Sequence, residues 1–302
     1  MLPFCSSSLR AFGISKETLY ASIIGNVINF CLNAFFLFVL HKGVAGVATA
    51  TVISRIINLV IVVLLGAVLV KAKQHPERES NRAVMGQIIR IGLPSACETA
   101  IYNVSMTLVI RFLNQMDAQG LNVTARSYTM QITNFSYCVG AALAQANAIM
   151  TGWHIGAKEY DACDRGTKKA AVIGVIVAVI LETVFTLCSG WIMQLFSKDP
   201  QMVSLVGKLL AIDIVLEIGR VTNLVYGQAL KTSGDAVFPV VMGVCFMILC
   251  SVGGTYLFGI RLGLLAVGAY IGMAGDECVR AIGMYLRWKS GKWKEKGLIK
   301  SR

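Results

Sequence analysis

The chain has 302 residues, 56% of them hydrophobic and 15% charged, with a formal net charge of +12. An average soluble domain is about 45–50% apolar and about 25% charged, so this composition excludes an ordinary soluble globular protein. The positive charge is not a nucleic-acid footprint: Lys and Arg fall between apolar runs, where a membrane protein retains them on the inner side.

A hydrocarbon core about 30 Å thick takes about 20 apolar residues of helix. The sequence predicts eight such helices, and strands are not expected, since barrel strands alternate apolar with polar over about ten residues. Residues 1–13 hold no long apolar core, so no cleavable signal peptide is expected and insertion falls to the first span. The first two spans are 19–40 and 44–70. The polar segment 71–87, with His75 and Pro76, reads as a cytoplasmic linker. Six further spans follow over 88–288: 88–113, 121–150, 170–196, 202–230, 237–258 and 262–286. Residues 289–302 form a basic tail suited to holding the last helix in orientation and touching anionic lipid.

Nineteen Lys and Arg fall in the N-terminus, 71–90, 151–169, the turn at Lys231 and the C-terminal stretch from Arg287 onward, against five in the alternate connections. The excess places both termini in the cytoplasm, and the membrane expected is the plasma (inner) membrane. The nine Cys form no CxxC pair or Cys/His cluster, so they are read as small apolar residues and neither a disulfide framework nor a metal site is expected. No catalytic constellation and no phosphate-cradling loop is present, so the protein is not expected to be an enzyme, to use ATP, or to carry a cofactor.

An internal repeat organises the chain. Leu9-Arg10-Ala11-Phe12-Gly13 is matched by Leu230-Lys231-Thr232-Ser233-Gly234 at an offset of 221, and Gly43-Val44-Ala45-Gly46 by Gly263-Leu264-Leu265-Ala266 at an offset of 220. Four spans precede the second copy and almost nothing precedes the first. The expectation is a duplicated unit with four helices absent from this chain. Transporters are commonly built from such repeats, with the substrate between them.

These segments, with Gly92-Leu93-Pro94-Ser95, Gly152-Trp153-His154-Ile155-Gly156-Ala157, Gly219-Arg220-Val221-Thr222-Asn223 and Ala229 through Asp235, resemble the multidrug and toxic compound extrusion (MATE) family over nearly the whole chain. The resemblance implies a fold of twelve helices in two six-helix lobes, of which this chain would hold helices five to twelve. The fold class is then an all-α polytopic membrane protein with one complete six-helix lobe and the last two helices of a truncated first lobe. The resemblance also implies export of cationic or amphipathic small molecules by antiport with protons or sodium. Because alternating access needs both lobes, this chain without a missing N-terminal half is expected to export poorly. A lipid-linked oligosaccharide flippase of the same superfamily and an inactive membrane remnant are the alternatives.

Ionisable side chains inside a bilayer are costly and point to a cavity or a partner. At 1.5 Å per residue, Glu98, Glu182 and Glu217 lie roughly 15, 18 and 20 Å along their helices, near one depth. Carboxylates there could exchange a proton near neutral pH or, with neutral oxygens, hold sodium. Glu98 follows Pro94 by one turn, with Tyr102 on the same face and Asn103 adjacent; a coupling or substrate role stands against an interhelical contact. Asp213, Glu217 and Arg220 share a stripe, either as a neutralised network or as a switch in which a cation competes with Arg220 for Glu217. Relative to the family pattern, Arg220 stands where some sodium-coupled members place an acid, which favours protons. Glu182 has only Thr186 nearby along its helix, so its partner is expected on another helix. Asp276, Glu277 and Arg280 are expected to pair within the last helix. Gln131 and Asn134 in the most polar span, and Asn26, Asn29 and Asn33 in the first, are candidates for lining a cavity or for gluing helices together.

Overall fold

The structure, a computed structural model, describes residues 2–71, 81–117 and 119–295. Among these residues there is no strand, and eight long helical rods account for most of the chain. Two compact units divide the chain at 79/80. His75 and Pro76 lie outside the described residues, whereas residues 81–87, counted with the linker in the sequence, are already helical.

The first unit holds a short helix α1 (Leu2–Ala11), then α2 (Ser15–Ala34), continued by a π-helical turn over Phe35–Val39, then α3 (Gly43–Lys71). α2 and α3 are stitched by Asn29, whose Nδ2 donates to Ser54 Oγ at 2.9 Å, while Asn33 donates to Asn29 Oδ1 at 3.0 Å. Asn26 and Asn29 line a small polar cavity with Arg55 and Asn58.

The second unit contains α4 (Asn81–Met116), α5 (Leu121–Gly156), α6 (Tyr160–Leu187), a short α7 (Ser189–Gln194), α8 (Pro200–Thr232), α9 (Val237–Phe246) with π-helical continuations over Met247–Val252 and Thr255–Arg261, and α10 (Leu265–Lys289). α8 is the central column, packed on α5, α6 and α10. Its start is set by Asp199, which accepts from the Gln201 N–H at 3.0 Å, followed by Pro200 in the first turn. The link between α4 and α5 is tied by Asp117, which accepts from the N–H groups of Gln119 and Asn122 at 2.6 and 3.0 Å. The Asn122 N–H chiefly holds the Asp117 carboxyl below its ordinary 3.8. Its folded value being the lower one, its stabilisation is complete above 3.8 and is lost as pH falls through the folded value.

The repeat seen in the sequence has a backbone counterpart. Ile14 N–H donates to the Leu9 carbonyl and Asp235 N–H to the Leu230 carbonyl, with Gly13 and Gly234 left-handed at φ +80° and +92°. Farther along, Lys42 N–H reaches the Phe36 carbonyl as Leu264 reaches Phe258, and Gly46 reaches Lys42 as Gly268 reaches Leu264. The backbone offset there is 222, so Gly43 corresponds to Leu265 (φ +54° and +53°) and not to Gly263, and the sequence match at 220 is corrected. The gain of one residue, from 221 to 222, falls between these landmarks. α2 is regular over that stretch, while α9 carries the extra π-helical segment Met247–Val252. A π-bulge accommodates one inserted residue in an α-helix, which accounts for the shift.

α9 and α10 touch backbone to backbone. A Cβ on Gly268 would lie 2.4 Å from the Phe258 carbonyl carbon, and one on Gly254 2.8 Å from Gly272 Cα. Small residues permit this approach where lipid gives no hydrophobic drive between helices. Gly268→Ala is therefore expected to destabilise by about 1–3 kcal/mol, read as a lower thermal midpoint in detergent. Gly166→Ala on α6, where a Cβ meets nothing within 4 Å, is expected to leave stability unchanged or raise it slightly.

The distribution of polarity is inverted relative to a water-soluble protein. Phe38, Leu187 and Trp191 are 76%, 81% and 80% exposed, whereas Glu182 and Glu217 are fully buried. Apolar surface on that scale needs a nonaqueous cover. Among the described residues, four helices are long and apolar enough to cross a membrane: Ser15–Val39, Gly43–Val68, Tyr160–Leu187 and Val237–Arg261. The other four long rods, α4, α5, α8 and α10, carry most of the polar and ionisable residues inside the second unit, joined by Glu182 of α6.

Candidate functional site

The buried charges assemble around α8. Glu182 projects from α6 toward Asp213 and Glu217 on α8, and a carboxylate oxygen of each lies within 4.8 Å of the others. The ionisable groups nearest Glu182 thus lie on another helix, but they are acids and not a counter-charge for it. Both Glu182 oxygens, Asp213 Oδ2 and Glu217 Oε2 are buried without a hydrogen-bond partner, as are the Ser136 and Thr186 hydroxyl oxygens. A buried ionised carboxylate left unpartnered costs several kcal/mol.

One cation serves this cluster. Arg220, a turn beyond Glu217, donates through Nη1 to Glu217 Oε1 and approaches Glu277 Oε1 of α10 at 3.9 Å. The expected pairing within the last helix is present: Arg280 binds Asp276 at 2.9 Å and Glu277 at 2.8 Å. Asp276 also accepts from Ser251 Oγ at 2.9 Å, and Glu277 from Asn223 Nδ2 at 3.0 Å. Glu182, Asp213, Glu217, Asp276 and Glu277 are thereby set against Arg220 and Arg280.

Two cavities of about 280 and 270 Å³ open beside this network and share Tyr102, Tyr137, Arg220, Glu277 and Arg280 as lining. Asp213 lines the first cavity, so the cluster meets open space through Asp213 and Arg220, with Glu182 and Glu217 behind them. Asn134 lines the first cavity. Glu98 lines the second, where its Oε2 accepts from Lys231 Nζ at 2.6 Å. Asn103 and Gln131 are exposed and line neither of these two cavities; Asn103 Nδ2 donates to the Thr99 carbonyl at 2.9 Å.

Sequence reasoning missed three contributors. Lys231 counts as a cytoplasmic charge in the sequence, yet it neutralises a carboxylate 133 residues away. Tyr137 sits at the wall between the cavities with its ring 5.9 Å from the Arg220 guanidinium carbon, a cation–π contact. Arg126 lines the first cavity. Only its location in the most polar helix hinted at it.

A bundle with apolar helices outside, charged side chains buried inside and cavities beside them defines a polytopic helical membrane protein of the transporter class. Residues 94–257 match the MatE family, and the chain belongs to this family of membrane transporters. It is 33% identical over 299 residues to the uncharacterized transporter YisQ of Bacillus subtilis, covering 97% of this chain and 65% of that protein. It is 22% identical to the probable multidrug resistance protein NorM of Thermotoga maritima, covering 97% of this chain and 64% of NorM. The fold matches the eukaryotic MATE transporter AtDTX14 with a TM-score of 0.86 at 17% identity, over 95% of this chain and 65% of that one. It also matches the MATE transporter ClbM in complex with Rb+ with a TM-score of 0.79 at 17% identity, over 95% and 64%. The chain thus spans just under two thirds of the length of these proteins.

Proposed function

We propose that the protein works as a secondary antiporter that expels cationic or amphipathic small molecules in exchange for protons or sodium. In this reading all eight long rods cross the plasma membrane, with both termini cytoplasmic. The observation that carries it is the buried trio Glu182, Asp213 and Glu217 served by the single cation Arg220. Three carboxylates held this close in low dielectric cannot all stay ionised without added positive charge. A proton, a sodium ion or the positive group of a substrate supplies it, and two of these competing for one place is the chemistry of exchange. The buried hydroxyls of Ser136 and Thr186 are neutral oxygens of the kind a monovalent ion uses, and the similarly folded ClbM is known in complex with Rb+. The flippase alternative asks for free cations facing a pyrophosphate. Of the four cations lining the two cavities, Arg220, Arg280 and Lys231 are instead neutralised by carboxylates and only Arg126 is not, too little positive charge for a pyrophosphate, which weakens it.

The test is equilibrium binding of a lipophilic cationic dye to the purified chain at graded pH and sodium concentration. Dye affinity is expected to fall about 5- to 150-fold, the usual range of such couplings, as one of the two ions is raised. Acid-only competition assigns protons and sodium-only competition assigns sodium. Affinity indifferent to both contradicts the reading.

A further inference from the structure

Arg126, in the second turn of α5, is 7% exposed and lines the first cavity. Of the cations lining the two cavities beside the network, its guanidinium is the one that no carboxylate neutralises: among the described residues none lies within 4.0 Å of it. Its Nη2 reaches only the Met106 sulfur, at 3.7 Å, and its Nε is buried with no partner. A guanidinium cannot shed its charge, and leaving it desolvated without an anion is costly. The neighbouring lining is suited to an organic body. Tyr137 and Tyr270 offer aromatic faces, and Met106, Met130 and Met273 offer pliable apolar contacts. Asp213 and Glu277 supply negative charge on other parts of the same wall.

We propose that Arg126 is an anion-binding subsite of this cavity, and that the preferred ligands are zwitterionic amphiphiles that place a carboxylate on Arg126 and a cationic group by the acids. A guanidinium fork matches a planar carboxylate in bidentate fashion. A phosphate's second charge would call for a second free cation, and the other cations lining this cavity, Arg220 and Arg280, are already paired. The inference rests on the cavity being the substrate site but adds a discrimination that a site for plain organic cations lacks.

The test uses the purified chain in detergent and two fluorescent probes: a zwitterionic xanthene dye with a free carboxylate, and its methyl ester, a pure cation. A charge-assisted contact of about 1.5–3 kcal/mol corresponds to roughly 10- to 100-fold in affinity. The acid is expected to bind more tightly than the ester by that factor. Arg126→Gln is expected to remove the advantage, with ester affinity equal or higher because a like charge has left the cavity wall, and Arg126→Lys to keep part of it. Equal binding of acid and ester by the parent protein overturns the proposal, and that comparison stands even if Arg126→Gln fails to fold. Equal weakening of both probes in Arg126→Gln overturns it as well. Sensitivity of ester binding to pH or sodium reads the exchange mechanism separately, so failure of one claim is distinguishable from failure of the other.

Discussion

Arg220→Gln is expected to destabilise the second unit by about 3–5 kcal/mol, the usual cost of removing one partner from a buried ion pair. The reason is local. Glu217 is fully buried, its Oε1 is held by Arg220, and its Oε2 has no partner. Asp213 and Glu182 add negative charge within 4.8 Å, and Glu277 approaches the same guanidinium from α10. Without Arg220, Glu182, Asp213 and Glu217 face one another with no cation between them, while Glu277 keeps Arg280. Glu217→Gln in the same chain removes one of the stranded charges, so the double variant is expected to recover about 1–3 kcal/mol relative to simple addition of the two single effects. Thermal or denaturant unfolding in mixed micelles reads both numbers. An Arg220→Gln protein as stable as the parent would show that the cluster is neutralised by other means.

Neutralising the cluster from the carboxylate side should act on exchange more than on folding. Glu182→Gln removes an acid whose two oxygens have no hydrogen-bond partner, so no ion pair is broken and the loss of a buried charge relieves repulsion. Asp213→Asn does the same at the cavity wall. Each variant is expected to bind cationic dye with an affinity that no longer responds to pH or sodium, erasing a coupling of about 1–3 kcal/mol. Isothermal dye titrations at two pH values and two sodium concentrations measure it. A variant that retains the parent's full ion dependence excludes its residue from the exchange site.

Much of this was legible in the sequence because the bilayer imposes strong rules. Acids within apolar runs had to face inward, and Glu182, Asp213 and Glu217 do so together. The i, i+4, i+7 stripe on α8 brought Glu217 to Arg220 by helix geometry alone. The repeat was legible as glycines and apolar spacing, and its backbone hydrogen bonds recur. Its second match was two residues out of register; the π-bulge in α9 accounts for the step from 221 to 222, and the other residue was a chance alignment of small and apolar residues. The Glu98–Lys231 pair was hidden for another reason. Periodicity relates residues on one helix, whereas this contact depends on how α4 and α8 are packed. The helices α4, α5, α8 and α10 are less apolar than the other long rods, and most of the site's residues lie on them, with Glu182 on α6. Arg126 could be seen as a costly charge, but its lack of a counter-ion is a property of the packed cavity.

The central claim is that the Glu182–Asp213–Glu217 cluster trades a bound cation for substrate. Infrared difference spectroscopy of the purified protein, with and without cationic dye, looks at those carboxyl groups directly. The account predicts a change in the carboxyl and carboxylate bands on dye binding that is lost in Glu182→Gln. A saturating dye that leaves those bands unaltered, or a change that persists undiminished in Glu182→Gln, would contradict it.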